Sequence, residues 1–262
     1  MTARALWKGV IVLGKTRVPV RLLSAVRERD VHFRLLHEKD QAPVSQRMVR
    51  PDTGEEVPRE QIQKGYEVER GIFVTFDKDE LAALQPPESR DIEVAQLVPR
   101  GSVGSYWYER PYWLAADAGG AADYAALAAA LDAQKRDAVV RWVMRGQRRV
   151  AVLRAHGGHL LLVTLRHTDE VVPPSQLEPP PGEKPDAKEI RLAEQLVSAL
   201  EGRFEPEKYR DEYQARVRQL IEAKARGRKL PKREAPRRRR APASLAGALE
   251  ASLRGTRGRK SA

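Results

Sequence analysis

AVVRWVMRGQRRVAVLRAHGGHLLLVTLRH, residues 138–167, is the stretch on which the reading of this chain turns. It holds three runs rich in β-branched and large apolar residues, Val139 to Met144, Val150 to Leu153 and Leu160 to Leu165, separated by glycine-bearing turns. Short runs of this kind punctuated by glycine predict an antiparallel meander. Gly146, in the connection Arg145-Gly146-Gln147-Arg148, suits a tight loop that needs a positive φ. The connection also carries Arg145, Arg148 and Arg149 to the hairpin end, and from Gln134 to Thr168 eight Lys/Arg face one acid, Asp137. Such a surface is either a sheet edge protected by charge or a surface that meets phosphate.

Outward from the meander, residues 5–23 predict two strands around Gly14, with Pro19 at an edge or bulge, and residues 31–39 predict a further strand with Val31, Phe33 and Leu35 on one face. The stretch that follows, about 41–71, is polar and proline-bearing, too polar for a core and too long for a tight turn. It reads as an exposed arm or a binding loop. Residues 72–76 return to strand, Asp77 and Glu80 form a capping box for a short helix, and residues 91–98 alternate as an irregular strand. Tyr106, Trp107, Tyr108, Tyr112 and Trp113 form an aromatic cluster suited to a core or an interface. Asp123 to Leu131 is an alanine-rich helix. A proline-rich linker at 173–185 separates the β-rich part, 1–172, from two amphipathic helices within 186–223. The first has Ile190, Ala193, Val197 and Leu200 on one face; the second has Pro206 in its first turn and aligns Tyr209, Tyr213, Val217 and Leu220. The fold class is α+β, dominated by β structure.

Charge divides the chain more sharply than hydropathy does. The chain has 262 residues and a net charge of +12, and residues 224–262 hold fourteen Lys/Arg and two acids; the first 223 residues are electrically neutral. A neutral body with a basic tail suits a polyanion. The tail contains Arg226, Arg228, Lys229 and the run Arg237, Arg238, Arg239, Arg240, and reads as largely disordered. Ser244 caps a short predicted helix near 244–254 that aligns Leu245, Leu249 and Leu253, a form suited to docking a protein partner.

Other chemistry is sparse. The absence of cysteine excludes disulfides and thiolate metal sites and fits a reducing compartment. No signal peptide or membrane span is legible. Lys39-Asp40 lacks the spacing and glycine of a nucleotidyl-transferase nucleophile, Pro51-Asp52 lacks the matching acid two residues before Lys64, and His156, His159 and His167 lack the carboxylates of a metal site. Nothing predicts a catalytic centre, a metal or a cofactor.

An ordered series of motifs sharpens this reading. Trp7-Lys8-Gly9, Val18-Pro19-Val20-Arg21-Leu22, His37-Glu38-Lys39-Asp40, Lys64-Gly65-Tyr66-Glu67, Arg110-Pro111-Tyr112, Thr164-Leu165-Arg166 with Asp169-Glu170-Val171, and Phe204-Glu205-Pro206 with Tyr209-Arg210-Asp211 closely resemble the bacterial Ku family from Ala3 to about Gly227. The resemblance implies a Ku-type β-barrel with a protruding arm, and a homodimeric ring threaded onto double-stranded DNA ends without sequence preference. It further implies no enzymatic activity, a place in the cytoplasm at the nucleoid, and recruitment of a multifunctional ATP-dependent DNA ligase of the ligase D type in non-homologous end joining. Under it, Arg47, Arg50, Arg59 and Lys64 belong to the arm, Arg145, Arg148 and Arg149 are the best candidates for the ring lining, Arg141 is a further DNA-binding candidate, and the tail arginines contact DNA. Leu245, Leu249 and Leu253 are assigned to the ligase. Two rivals stand beside this DNA-end-binding scaffold: a basic RNA- or nucleoid-binding protein without end preference, and a nuclease with an unrecognised site.

Overall fold

A computed structural model describes residues 4–178, 186–227 and 247–253. The chain forms two compact units, one of residues 1–29 and 34–176, the other of residues 30–33 and 177–262.

The first unit is built on a closed barrel. Its strands are β1 (Trp7–Leu13), β2 (Thr16–Ser24), β5 (Asp91–Pro99), β6 (Tyr108–Ala116), β7 (Arg136–Met144), β8 (Gln147–His156) and β9 (His159–Leu165). They close in the order β1-β2-β6-β9-β8-β7-β5, and only the β1–β5 seam is parallel. Closure gives each strand a hydrogen-bonded neighbour on both sides. The period of two sends Ala138, Val140, Trp142 and Met144 of β7 inward, where they meet Ile11, Val20, Leu22, Leu114, Leu153 and Leu162, all buried. The expected irregularity in β5 is a shift of register between Val94 and Gln96. Pro19 sits on β2 at the end of the β2–β6 ladder, which begins at Val20, and its carbonyl accepts from the Asp117 N–H at 3.0 Å. The missing N–H therefore falls past the last β2–β6 pair.

Both hairpins of the meander close with two residues. Met144 pairs with Gln147 across Arg145 (φ +53°) and Gly146 (φ +71°), and His156 pairs with His159 across Gly157 and Gly158, also at positive φ. Two consecutive positive φ values define the hairpin turn whose twist matches the strands.

The helix α2 (Ala121–Ala133) contributes Tyr124, Ala128 and Leu131 to the core, an i, i+4, i+7 stripe. Tyr124 Oη donates to Leu114 O at 2.6 Å and accepts from Leu160 N–H at 2.8 Å, fastening the helix to two paired strands. Burial pushes its phenol up from the ordinary value. The motif Trp7-Lys8-Gly9 has a steric basis: a Cβ on Gly9 would lie 2.0 Å from the Trp7 ring and 2.5 Å from Arg90 O. Trp7 in turn packs edge-on against Trp142 at 5.4 Å, and Trp142 against Tyr112 at 6.2 Å. From the aromatic cluster, Tyr112 goes to the core while Tyr106 stays exposed.

Between β2 and β5 the chain leaves the barrel. A hairpin of β3 (Lys64–Glu69) and β4 (Ile72–Phe76) forms its own two-stranded sheet, and nearly every residue in it is exposed. The capping box of Asp77 and Glu80 then starts α1 (Lys78–Ala83). The strand expected over 31–39 does not form: Leu36 makes an isolated bridge to Pro43, and Phe33 and Leu35 are exposed. Its alternation is present, but no neighbouring strand takes its backbone groups, and an unpaired strand has no ladder to hold it.

The second unit contains α3 (Ala187–Leu200), capped by Asp186 and Glu189, and α4 (Glu212–Ala225), capped by Asp211. Pro206 does not lie in the first turn of α4. Pro206–Lys208 form a separate 3-10 turn, and Tyr209 has left helical geometry. The Asp211 carboxylate, accepting from Gln214 N–H at 2.9 Å, starts the helix later. Gln214 also bonds Val31 N–H and Asp30 from the early chain. No helix among the described residues is long and apolar enough to cross a membrane.

Candidate nucleic-acid interface

The β7–β8 hairpin positions the candidate arginines, and the register separates them. Arg141 lies opposite Val150 and Arg148 opposite Val143, on the outward face, whereas Arg149 lies opposite the buried Trp142 and shares its face at the barrel end. Arg149 is held there by Gln147 at 2.9 Å and Glu109 at 3.4 Å. Arg148 and Arg149 therefore leave β8 on opposite faces. Arg141, Arg145 and Arg148 are exposed. A Cβ on Gly146 would press on the end of the Gln85 side chain, so the turn rests against the segment that follows α1.

An open cleft beside this face is lined by Arg141, Arg148 and Arg149 together with Pro86, Asp91 and Glu93. Glu93 stands opposite Arg141 in the β5–β7 register, and Asp91 is taken by Arg17 at 2.7 Å. The cleft is thus mixed in charge, with its positive side on the hairpin.

Several basic residues of the barrel are neutralised by neighbours. Asp137, fully buried, pairs with Arg154 at 2.6 Å and lies 3.8 Å from Arg100. Arg154 also stacks on Tyr108 and donates to its hydroxyl at 2.7 Å. Removing one partner of a buried ion pair is strongly destabilising, so this contact is structural. Asp117 ties down Lys8 at 3.1 Å and Arg21 at 3.5 Å, and the Lys8 ammonium first, then the Ala118 N–H and the Arg21 charge, hold its carboxyl below the usual range against a smaller opposing effect of burial. The Asp117 pairs and the Arg100 contact join residues far apart in the chain, so no local pattern signals them; the Asp137–Arg154 pair instead crosses the β7–β8 hairpin.

On the excursion, Arg47 pairs with Glu56 at 2.7 Å and Arg50 with both oxygens of Asp52, at 3.0 and 2.7 Å. Arg59 lies in a 3-10 turn, Lys64 opens β3, and all four side chains are exposed. Exposed pairs are worth about 0–1 kcal/mol, which a phosphate can displace. Arg226 ends α4. Arg228, Lys229, Arg237, Arg238, Arg239, Arg240 and Leu245 lie outside the described residues, while Leu249 and Leu253 fall on a helical stretch at 247–253. His156 and His159 flank Trp113, each ring about 6.1 Å away, and His167 opens a separate 3-10 turn. No group of three or more potential metal ligands occurs among the described residues.

Residues 12–193 match the family model described as the Ku70/Ku80 beta-barrel domain. The chain belongs to the Ku family. It is 38% identical over 98% of its length to the non-homologous end joining protein Ku of Anaeromyxobacter sp. strain K, of which the match covers 87%. Against the protein of the same name from Solibacter usitatus the identity is 36%, over 90% of this chain and 88% of the other. The corresponding Coxiella burnetii protein is 34% identical over 86% of this chain and 83% of its own. The seven-stranded closed barrel is the Ku-type core in this chain.

Proposed function

We propose that this chain is a non-catalytic scaffold of double-strand break repair: a homodimeric ring that binds double-stranded DNA ends without sequence preference and recruits an ATP-dependent ligase of the ligase D type. The observation that carries the reading is membership of the Ku family over nearly the whole chain, with relatives named for non-homologous end joining. Two features of the molecule support its finer parts. The excursion leaves Leu35, Met48, Tyr66, Phe73 and Val74 exposed, and a second copy is the covering that a dimer supplies. Outward-facing Arg141, Arg145 and Arg148 present charge without base-reading geometry, as sequence-independent phosphate binding requires. By the same reasoning Arg47, Arg50, Arg59 and Lys64 contribute from the arm, Arg149 assists at the barrel end, and the tail arginines add a salt-sensitive grip.

The test is binding to matched linear DNA, covalently closed DNA, and linear DNA with bulky blocks on both ends, at moderate salt. A ring binds only the open linear form. Equal binding to all three would point to the rival reading favoured by the +12 tail, a polycation that coats DNA or RNA without regard to ends. Removal of residues 224–262 should keep end binding and make its salt dependence shallower.

A further inference from the structure

Residues 247–253 are helical, and one side of this short helix is covered from within its own chain. Leu249 lines a shallow apolar groove with Ile190, Ala193 and Val197 of α3, and Leu253 lines a neighbouring recess with Arg191, Glu194, Gln195 and Ser198. Lys188 Nζ stands 3.9 Å from the Glu250 carboxylate at the same contact. Leu249 and Leu253 are partly buried, while Glu250, Ala251 and Ser252 between them are exposed, so the helix presents a definite face to α3. Most helical stability in a protein comes from packing an amphipathic face, and α3 supplies such packing to the described residues 247–253.

We propose that this contact is a latch: α3 is the intramolecular docking site of the 247–253 helix, and while the helix is docked Leu249 and Leu253 are withheld from the ligase. The latch rests on the assignment of those leucines to ligase recruitment above, because one apolar face cannot pack on α3 and on a partner at once. Because the helix and α3 belong to one chain, docking is intramolecular and does not depend on protein concentration. The shallow groove makes the docked state easy to leave: Val197 remains 71% exposed with the helix in place. Recruitment is then an exchange of one covering for another rather than exposure of leucines to water.

The chain's lack of cysteine allows a direct test. Full-length protein carrying Lys188→Cys and Glu250→Cys is treated with a short bis-maleimide. The latch gives a cross-link within one chain, reduced about fivefold or more by Val197→Asp, an exposed position whose change leaves the melting temperature unmoved. A cross-link that forms between chains when the two single-cysteine proteins are mixed, or one indifferent to Val197→Asp, overturns the latch. Capture of a purified ligase D-type ligase is measured in parallel. Val197→Asp should raise capture about fivefold or more and Leu249→Asp should abolish it. If Val197→Asp lowers capture, α3 belongs to the partner's site and the latch is wrong. If Leu249→Asp leaves capture intact while the cross-link behaves as expected, the helix docks but the recruitment assignment fails. Loss of capture in Leu249→Asp without any cross-link in the double-cysteine protein supports recruitment and overturns docking.

Discussion

The barrel and the excursion between β2 and β5 use similar apolar residues to opposite effect. Ile11, Leu22, Val140 and Leu162 in the barrel are fully buried by their own chain, whereas Phe33 is 70% exposed and Tyr66 68% on the excursion. The barrel's strands close on one another, so every inward side chain finds neighbours. The β3–β4 hairpin has two strands and no layer to pack on, and a two-stranded hairpin is marginal by itself. Apolar character along a chain thus does not by itself settle burial, which topology decides.

The sharpest way to break the contrast is to open the barrel. Trp142→Ala removes the ring that touches Trp7 and Tyr112 and should cost about 3–5 kcal/mol in denaturant unfolding. On the excursion the expected loss is in assembly instead. Tyr66→Asp with Phe73→Asp should leave unfolding nearly unchanged and weaken dimerisation about a hundredfold, equivalent to about 2.7 kcal/mol, in sedimentation equilibrium. A dimer indifferent to both changes removes the hairpin from the interface. Tyr124→Phe returns to the barrel: it leaves the Leu114 carbonyl and Leu160 N–H without their partner, a loss of about 1–3 kcal/mol.

Charge gives smaller effects. Arg141→Glu with Arg148→Glu should lower affinity for DNA ends about tenfold without altering the melting temperature, whereas Arg149→Glu, turned toward Glu109, should disturb the barrel end more than the binding. Least of all is the Asp117 contribution. Its folded pKa lies below the ordinary 3.8, so the stability it adds is complete above that value and disappears as the pH falls through the lowered one. Asp117→Asn should flatten that acid limb in pH-dependent melting.

Much of this was legible along the chain. The meander, its two turns, the capping box at Asp77 and the shift in β5 all arise from neighbours within a few residues, where side-chain periodicity and glycine placement act directly. The strand expected at 31–39 failed for the complementary reason: alternation marks a capacity to pair, and among the described residues no strand lies beside it. Pro206 was likewise compatible with a helix start, but the stronger cap at Asp211 took that role.

The candidate interface was legible in composition and less so in arrangement. Counting charge singled out the β7–β8 hairpin, but a count treats Arg148, Arg149 and Arg154 alike. The pleat turns Arg148 outward and Arg149 toward the barrel end, the hairpin brings Asp137 to Arg154, and the packing of β6 brings Tyr108 to it. The sequence by itself determined the β-rich core, the neutral body with its basic tail and the family, because these depend on local pattern and ordered motifs. Only the tertiary structure decided which charges are spent on internal partners and which face outward, since that depends on strands distant in sequence being brought into register.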